Sequence, residues 1–286
     1  MKTIIFILLA IFLFGAIAPG FVKKSNGNYQ ILIQATDTSS SQALLSQSVK
    51  IINDRLGNYN KETFGIMIIP EKKQIKVTLD HNWDPKIAAS LILHKGTLAF
   101  YETYNYASLT RLVKDNNQLL SLLHEQAPDS SAAKIGCVSP DEINKVNEYL
   151  SSLGLYKECK FAWNYANKDS KFCLFALKLD HGNGSLLGAT NVEHFAYDLM
   201  TSKNNYEITF KFKPSATHLW SDLTKRNINR AVAIVLDDQV LSAPIVRSEI
   251  NNGGCQITGN FTLPEVKYIT AMGNSGELPL SFSVVK

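Results

Sequence analysis

Residues Arg230–Val266 read RAVAIVLDDQVLSAPIVRSEINNGGCQITGNFTLPEV. An unbroken apolar run from Ala231 to Leu236 precedes Asp237-Asp238-Gln239, and a second run spans Val240 to Val246. Two apolar runs around a short polar turn predict a β-hairpin. Asp237 is expected to accept hydrogen bonds from its own turn backbone. Pro244 carries no N–H, so it belongs where strand pairing ends, at an edge or exit. Gly253, Gly254 and Gly259 suit bends that need positive φ or close backbone approach. Cys255–Thr258 reads as a further short strand. Thr262 and Glu265 then frame a capping box, opening a helix to Met272 that Gly273 closes. None of these roles calls for catalysis.

Upstream of this stretch, Ile208, Phe210 and Phe212 alternate with polar residues as in a half-buried strand. Pro214 opens a helix bearing Ala216, Leu219, Trp220 and Leu223. Downstream, Leu278–Val284 can supply a last strand. Further upstream, Tyr29–Ala35 is strand-like, and Ser39–Ser41 precede a helix with Leu45, Val49, Ile52 and Leu56 on one face. Gly57 stands where that helix should end. Phe64–Ile69 and Gln74–Leu79 are strand patterns around the polar turn Pro70–Lys73. Asp84 caps a helix with Pro85 at its first position, Gly96 ends it, and Thr97–Tyr101 is a strand. The order β-α-β-β-α-β matches a ferredoxin-like split motif. Between Tyr104 and Asn205 the pattern is less regular. Leu109–His124 is helical in character, and Ser139-Pro140-Asp141-Glu142 forms a capping box before Ile143, Val146, Leu150 and Leu153. Phe161–Trp163 and Phe172–Leu179 are strand-like, and residues 181–188 form a glycine-rich loop.

The N-terminus is of another kind. Lys2 precedes an apolar run from Ile4 to Val22, close to the ~20 residues that span a bilayer, with Lys23 and Lys24 after it. This reads as a signal peptide or signal anchor over residues 1–24. Pro19, just after the small-x-small sequence Ala16-Ile17-Ala18, favours the uncleaved anchor. The chain is thus expected in the cell envelope, outside the cytoplasm, anchored by residues 4–22 or secreted to the periplasm if the segment is cleaved. Its 286 residues are 45% apolar with net charge +4, ample for a packed core. The two signs of charge are mixed, which gives no nucleic-acid signal. Cys137, Cys159, Cys173 and Cys255 form no C-x-x-C pair. In an oxidising compartment Cys159 and Cys173 can bridge; two unpaired buried thiols are equally compatible with the sequence.

The stretch quoted first closely resembles part of the periplasmic domain of SecD proteins. The shared pattern is Ala233-Ile234-Val235-Leu236-Asp237, then Val240, Ser242, Ala243 and Pro244, then Gly253 and Gly254, then Ile257, Thr258, Gly259 and Phe261, then Thr262 and Glu265. Trp220 and Thr224 fit the helix before it, and Gly276-Glu277-Leu278-Pro279 fits the end of the domain. The strong match runs from Trp220 to Pro279, about a fifth of the chain, and is densest over residues 230–261; element order carries a weaker likeness across the rest. The chain departs from the family in two places: the turn is Asp237–Asp238 where the family has Asp-Gly, and the Gly/Asp/Leu-rich stretch that follows the first membrane span is missing. SecD proteins continue into further membrane helices that carry their proton pathway; no second apolar run of spanning length follows here, so the resemblance implies the exported domain and not the proton-driven part.

The fold class expected is α+β: after one N-terminal apolar helix, a ferredoxin-like base of residues 29–103 plus 270–286 with an inserted α+β head of residues 104–269. The resemblance implies a non-enzymatic domain. It would bind unfolded exported polypeptide or assist Sec-dependent translocation, with Sec translocase subunits as partners and the N-terminal helix in the membrane. The alternative is a structural or accessory envelope protein that keeps the fold without an export role. No cofactor and no nucleic acid are expected. The histidines His81, His94, His124, His181, His194 and His218 lack metal spacing. Asp180, His181 and Ser185 lie in one loop without a nucleophile elbow. Gly182, Gly184 and Gly188 miss the dinucleotide spacing. Asp54, Asp237 and Asp238 read as solvated acids. Phe100, Tyr101, Tyr104 and Tyr106 read as packing aromatics before a peptide-binding patch.

Overall fold

The computed structural model describes residues 23–25, 27–37, 41–114, 118–125, 132–164, 171–179, 185, 187–200 and 205–285. The apolar segment at residues 4–22 lies outside them. Among the described residues, no helix is long and apolar enough to cross a membrane.

The strands are β1 (Lys23–Ser25), β2 (Asn28–Ala35), β3 (Phe64–Ile69), β4 (Gln74–Leu79), β5 (Leu98–Tyr104), β6 (Lys134–Val138), β7 (Cys159–Asn164), β8 (Phe172–Lys178), β9 (Val192–Met200), β10 (Asn205–Phe212), β11 (Val232–Leu236), β12 (Gln239–Ser242), β13 (Gly254–Phe261) and β14 (Phe282–Val284). The helices are α1 (Gln42–Tyr59), α2 (Pro85–Leu93), α3 (Tyr106–Val113), α4 (Gln118–Ser121), α5 (Ile143–Ser152), α6 (Pro214–Arg226) and α7 (Leu263–Ser275).

In the first sheet, β2 pairs β4 and β4 pairs β3, all antiparallel. The strand expected to complete it, Thr97–Tyr101, does not do so. As β5 it leaves for another sheet, where it pairs β11. Its place beside β2 is filled from the far end of the chain by β14, with Phe282 opposite Ala35. The reason is burial: Phe100 needs an apolar partner surface and finds it among Phe210, Phe212 and Trp220, while Tyr101 faces a separate core. Of the aromatic group, Phe100 and Tyr101 are buried in cores, while Tyr104 and Tyr106 are half-buried.

The sheet that β5 joins closes on itself. Pairings run β5–β11, β11–β12, β12–β7, β7–β8 and back from β8 to β5, with β6 added outside β8. Closure removes the free edges of five strands. The core on one side of these strands joins Tyr101 and Phe175 to smaller side chains, Ala162, Leu177, Ala233 and Val240 among them. Ile234 and Leu236 of β11 point the other way, into the main core. A strand buried on both faces accounts for the unbroken apolar run at Ala231–Leu236. The third sheet, β13–β10–β9, is antiparallel.

Two glycines read as helix ends are interior. Helix α1 passes Gly57 to Asn60, whose N–H bonds to the Leu56 carbonyl. Helix α7 passes Gly273 and stops at Gly276, where φ is +81°. Gly273 serves close packing: a Cβ there would stand 2.5 Å from the Phe195 ring. The Leu109–His124 stretch divides into α3 and α4. The cysteine pairing also differs from the Cys159–Cys173 option. Cys173 bonds to Cys137, and Cys159 and Cys255 are free thiols. Register explains this, because β6 places Cys137 directly opposite Cys173. The Cys137 N–H and C=O are engaged with His124 on the other side, so this is the close, non-hydrogen-bonded kind of pair.

Candidate functional site

Helix α1 turns Arg55 inward with Ile51, Ile52 and Leu56, and the side chain is 0% exposed. A guanidinium cut off from water must find protein acceptors. Nη1 donates to the carbonyls of Leu91 (3.1 Å) and His94 (2.5 Å), and Nη2 to those of Lys95 and Gly276 (2.7 Å each). Three of these acceptors lie at the end of α2, where carbonyls lack helical partners, and the fourth follows α7. Burial lowers the Arg55 pKa to about 10, so the group remains cationic at neutral pH.

Gly96 follows with φ +82°, and a Cβ there would overlap the Arg55 guanidinium. Its N–H, with that of Thr97, donates to the Asp237 carboxylate at 2.8–3.0 Å. Asp237 therefore does not serve its own turn backbone, as the sequence led us to expect. Asp237 and Asp238 both have positive φ, 49° and 66°, the geometry of a tight mirror-image hairpin turn. The tip of this hairpin abuts the α2–β5 connection, whose N–H groups have no helical partner. Burial pushes the Asp237 carboxyl up, opposed by the two N–H groups and by Arg55. Asp238 faces outward and pairs with Lys160. The Leu278 N–H reaches the Lys95 carbonyl at 2.8 Å, and Glu277 pairs with Lys95. The hairpin tip and the segment after α7 are thus held by one connection, through one buried arginine.

His94 completes the hub. Its Nδ1 shares a short hydrogen bond with the Tyr268 hydroxyl, the two rings edge-on. Burial and then Arg55 lower its pKa from 6.5 to about 4. A base whose folded pKa is depressed contributes stability above its unfolded pKa and loses it as pH falls toward the folded value. Urea midpoints should therefore fall as pH drops from about 6.5 to about 4. His94→Gln should flatten that slope; an unchanged slope would exclude His94 as its source.

The other motif residues are spread along the same stretch. Ser242 ends β12 opposite Ile234. The Pro244 carbonyl still accepts from the Val232 N–H at 3.1 Å, just past the end of the strand. Gly253, at φ +72°, offers its carbonyl to Phe212 at 2.8 Å. The Gly254 N–H bonds to the Asn252 side chain. Thr258 faces Glu207 across the pair, Gly259 lies within β13, and Phe261 stands opposite Tyr206. Thr262 and Glu265 make both bonds of the capping box. In the sequence Gly96 reads only as the end of a helix that in fact stops at Leu93, and Arg55 is not singled out; a lone arginine on the apolar face of α1 is the available signal for it.

Nothing in the described residues assembles a catalytic set. The Ser185 hydroxyl is taken up by the backbone of Phe100 and Leu187; Asp180, His181, Gly182 and Gly184 lie outside the described residues. Among the described residues no group of three potential metal ligands occurs. The Cys159 and Cys255 thiols are pushed to about 12 by burial, which leaves them unreactive near neutral pH.

Comparison with known proteins points one way. Residues 180–280 match the family described as SecDF, P1 head subdomain. Over 91% of its length the chain is 24% identical to the protein translocase subunit SecD of Calditerrivibrio nitroreducens, covering 44% of that protein. Over 25% of its length it is 42% identical to SecD of Aquifex aeolicus, covering 14% of it. Among solved structures, SecDF in its super-membrane-facing form superposes with TM-score 0.59 at 18% identity, over 94% of this chain and 32% of that one. A structure described as a membrane component SecDF that enhances protein export superposes with TM-score 0.55 at 17% identity, over 90% of this chain and 98% of that one. The chain spans less than half the length of these curated relatives. Sequence and fold together support a SecD/SecDF periplasmic domain.

Proposed function

We propose that this chain, similar over most of its length to SecD, acts in protein export from the extracytoplasmic side as a non-enzymatic domain. In this reading it contacts unfolded exported polypeptide and Sec translocase subunits, and residues 4–22 hold it at the membrane. The observation that carries the reading is the match of residues 180–280 to the SecDF P1 head subdomain. The first sheet with α1, α2 and the end of α7 serves as base, residues 29–103 and 270–286 apart from β5. The closed strand ring and β13–β10–β9 serve as head, largely residues 104–269. The Arg55–Asp237 hub joins the two.

The first sheet offers a surface for an extended chain. Edge strand β3 reads FGIMII with no charge, and Met67 is 63% exposed. Natural edges are usually blunted by charge or proline, and an uncharged one can accept an added strand. A photo-crosslinking residue placed at Met67 should capture an export-arrested polypeptide or a translocase subunit in intact cells, while one at exposed Lys50 on α1 should not. Equal recovery at both positions, with normal export in a deletion strain, would support an accessory envelope role instead.

A further inference from the structure

The closed strand ring has a mouth where β5, β8 and β11 meet, and this mouth is basic. A cavity of about 160 Å³ lies there, lined by Thr103 of β5, Asn105, Ser108 and Arg111 at and along α3, Lys178 of β8 and Arg230 just before β11. Ala231, a member of the core cluster beside the ring, also lines it. The mouths of strand barrels are recurrent places for small-ligand sites.

The charges there are not balanced. Lys178 shares Glu102 with Arg226 and lies over the Tyr104 ring. Glu102 is held below the usual carboxylate range, against the opposing effect of burial, by Arg226 and Lys178. Among the described residues neither the Arg111 nor the Arg230 side chain has a hydrogen-bond or ion-pair partner, though the Arg230 backbone bonds Asn227 and Val246. Two arginine side chains therefore line a concave polar space, and Glu102 beside it is already engaged. Arg forks match tetrahedral and planar oxyanions with paired hydrogen bonds. Two forks and an ammonium supply more donors than the two oxygens of one carboxylate can accept, and suit the larger oxygen set of a phosphate group.

We propose that this ring mouth binds a phosphate group, held by Arg111 and Arg230 with Lys178 beside them. The phosphate can be a free anion or part of an anionic phospholipid headgroup. The inference is independent of any role in export. The test uses the full chain in neutral detergent, titrated with inorganic phosphate and, separately, with a short-chain phosphatidylglycerol below its micelle concentration. Chloride at matched ionic strength is the control. A saturable rise in Tm with either probe and not with chloride is expected. The double variant Arg111→Ala/Arg230→Ala, whose side chains are exposed, should fold and bind at least about tenfold more weakly. Tighter binding of the phosphatidylglycerol would assign a lipid headgroup; response to inorganic phosphate alone would assign a free anion. No saturable rise with either probe, or an equal rise in the double variant, would overturn the proposal.

Discussion

Replacing Arg55 with leucine should lower the unfolding free energy by about 3–5 kcal/mol, the range for removing one member of a buried charged network. Leucine fills much of the space but donates nothing. The carbonyls of Leu91, His94 and Gly276 would lose the Arg55 donor and that of Lys95 would keep only the Leu278 N–H, and half-buried Asp237 would lose its nearby cation. Each orphaned buried group costs about 1–3 kcal/mol. Arg55→Lys keeps the charge but not the fork, so it should recover only part of the loss. Urea unfolding followed by tryptophan fluorescence measures this, and a cost below about 1 kcal/mol would show that the hub does not hold the fold. Asp237→Asn should cost less in the Arg55→Leu background than alone, because the two groups share one network.

Removing the Cys137–Cys173 bridge with a double alanine substitution should cost about 3–4 kcal/mol, the chain-entropy value for a loop set by a sequence separation of 36. The bridge ties β6 to β8 next to the core that α5 covers. The effect should appear as a lower unfolding midpoint, whereas single alanine variants of Cys159 or Cys255 should leave no loop opened. Thiol counting checks the pairing directly. Two thiols should react after denaturation without reductant and four with it; four without reductant would rule the bridge out. A bridge of this kind belongs to an oxidising compartment, in keeping with an extracytoplasmic setting.

How much was legible varied with the physics of each element. Helix α2 was readable from Asp84-Pro85, and α7 from its capping box, because caps are short-range chemistry. The ends of α1 and α7 were misplaced at Gly57 and Gly273. A glycine can end a helix or let a ring approach, and at Gly273 the position of Phe195 decides which, while a Cβ at Gly57 would meet nothing. Strand β9 escaped notice because only Val192 and Phe195 of its nine residues are buried. Strand β6 escaped because its KIGCV is too short to show a period. The cysteine partner was equally out of reach, since spacing along the chain says nothing about which strands share a register.

The sequence by itself determined the α+β character, most of the strands and helices, and the SecD-like segment at residues 230–261, since propensity, capping and side-chain period act within a few residues. The tertiary structure alone decided where β5 goes, how five strands close into a ring, and that Asp237 reaches across to Gly96 and Thr97. It also brought Arg55 to the carbonyls of Lys95 and Gly276, and Arg111 and Arg230 to the lining of one cavity. These are contacts between residues far apart in the chain, set by which apolar faces can be buried together, and no local pattern encodes them.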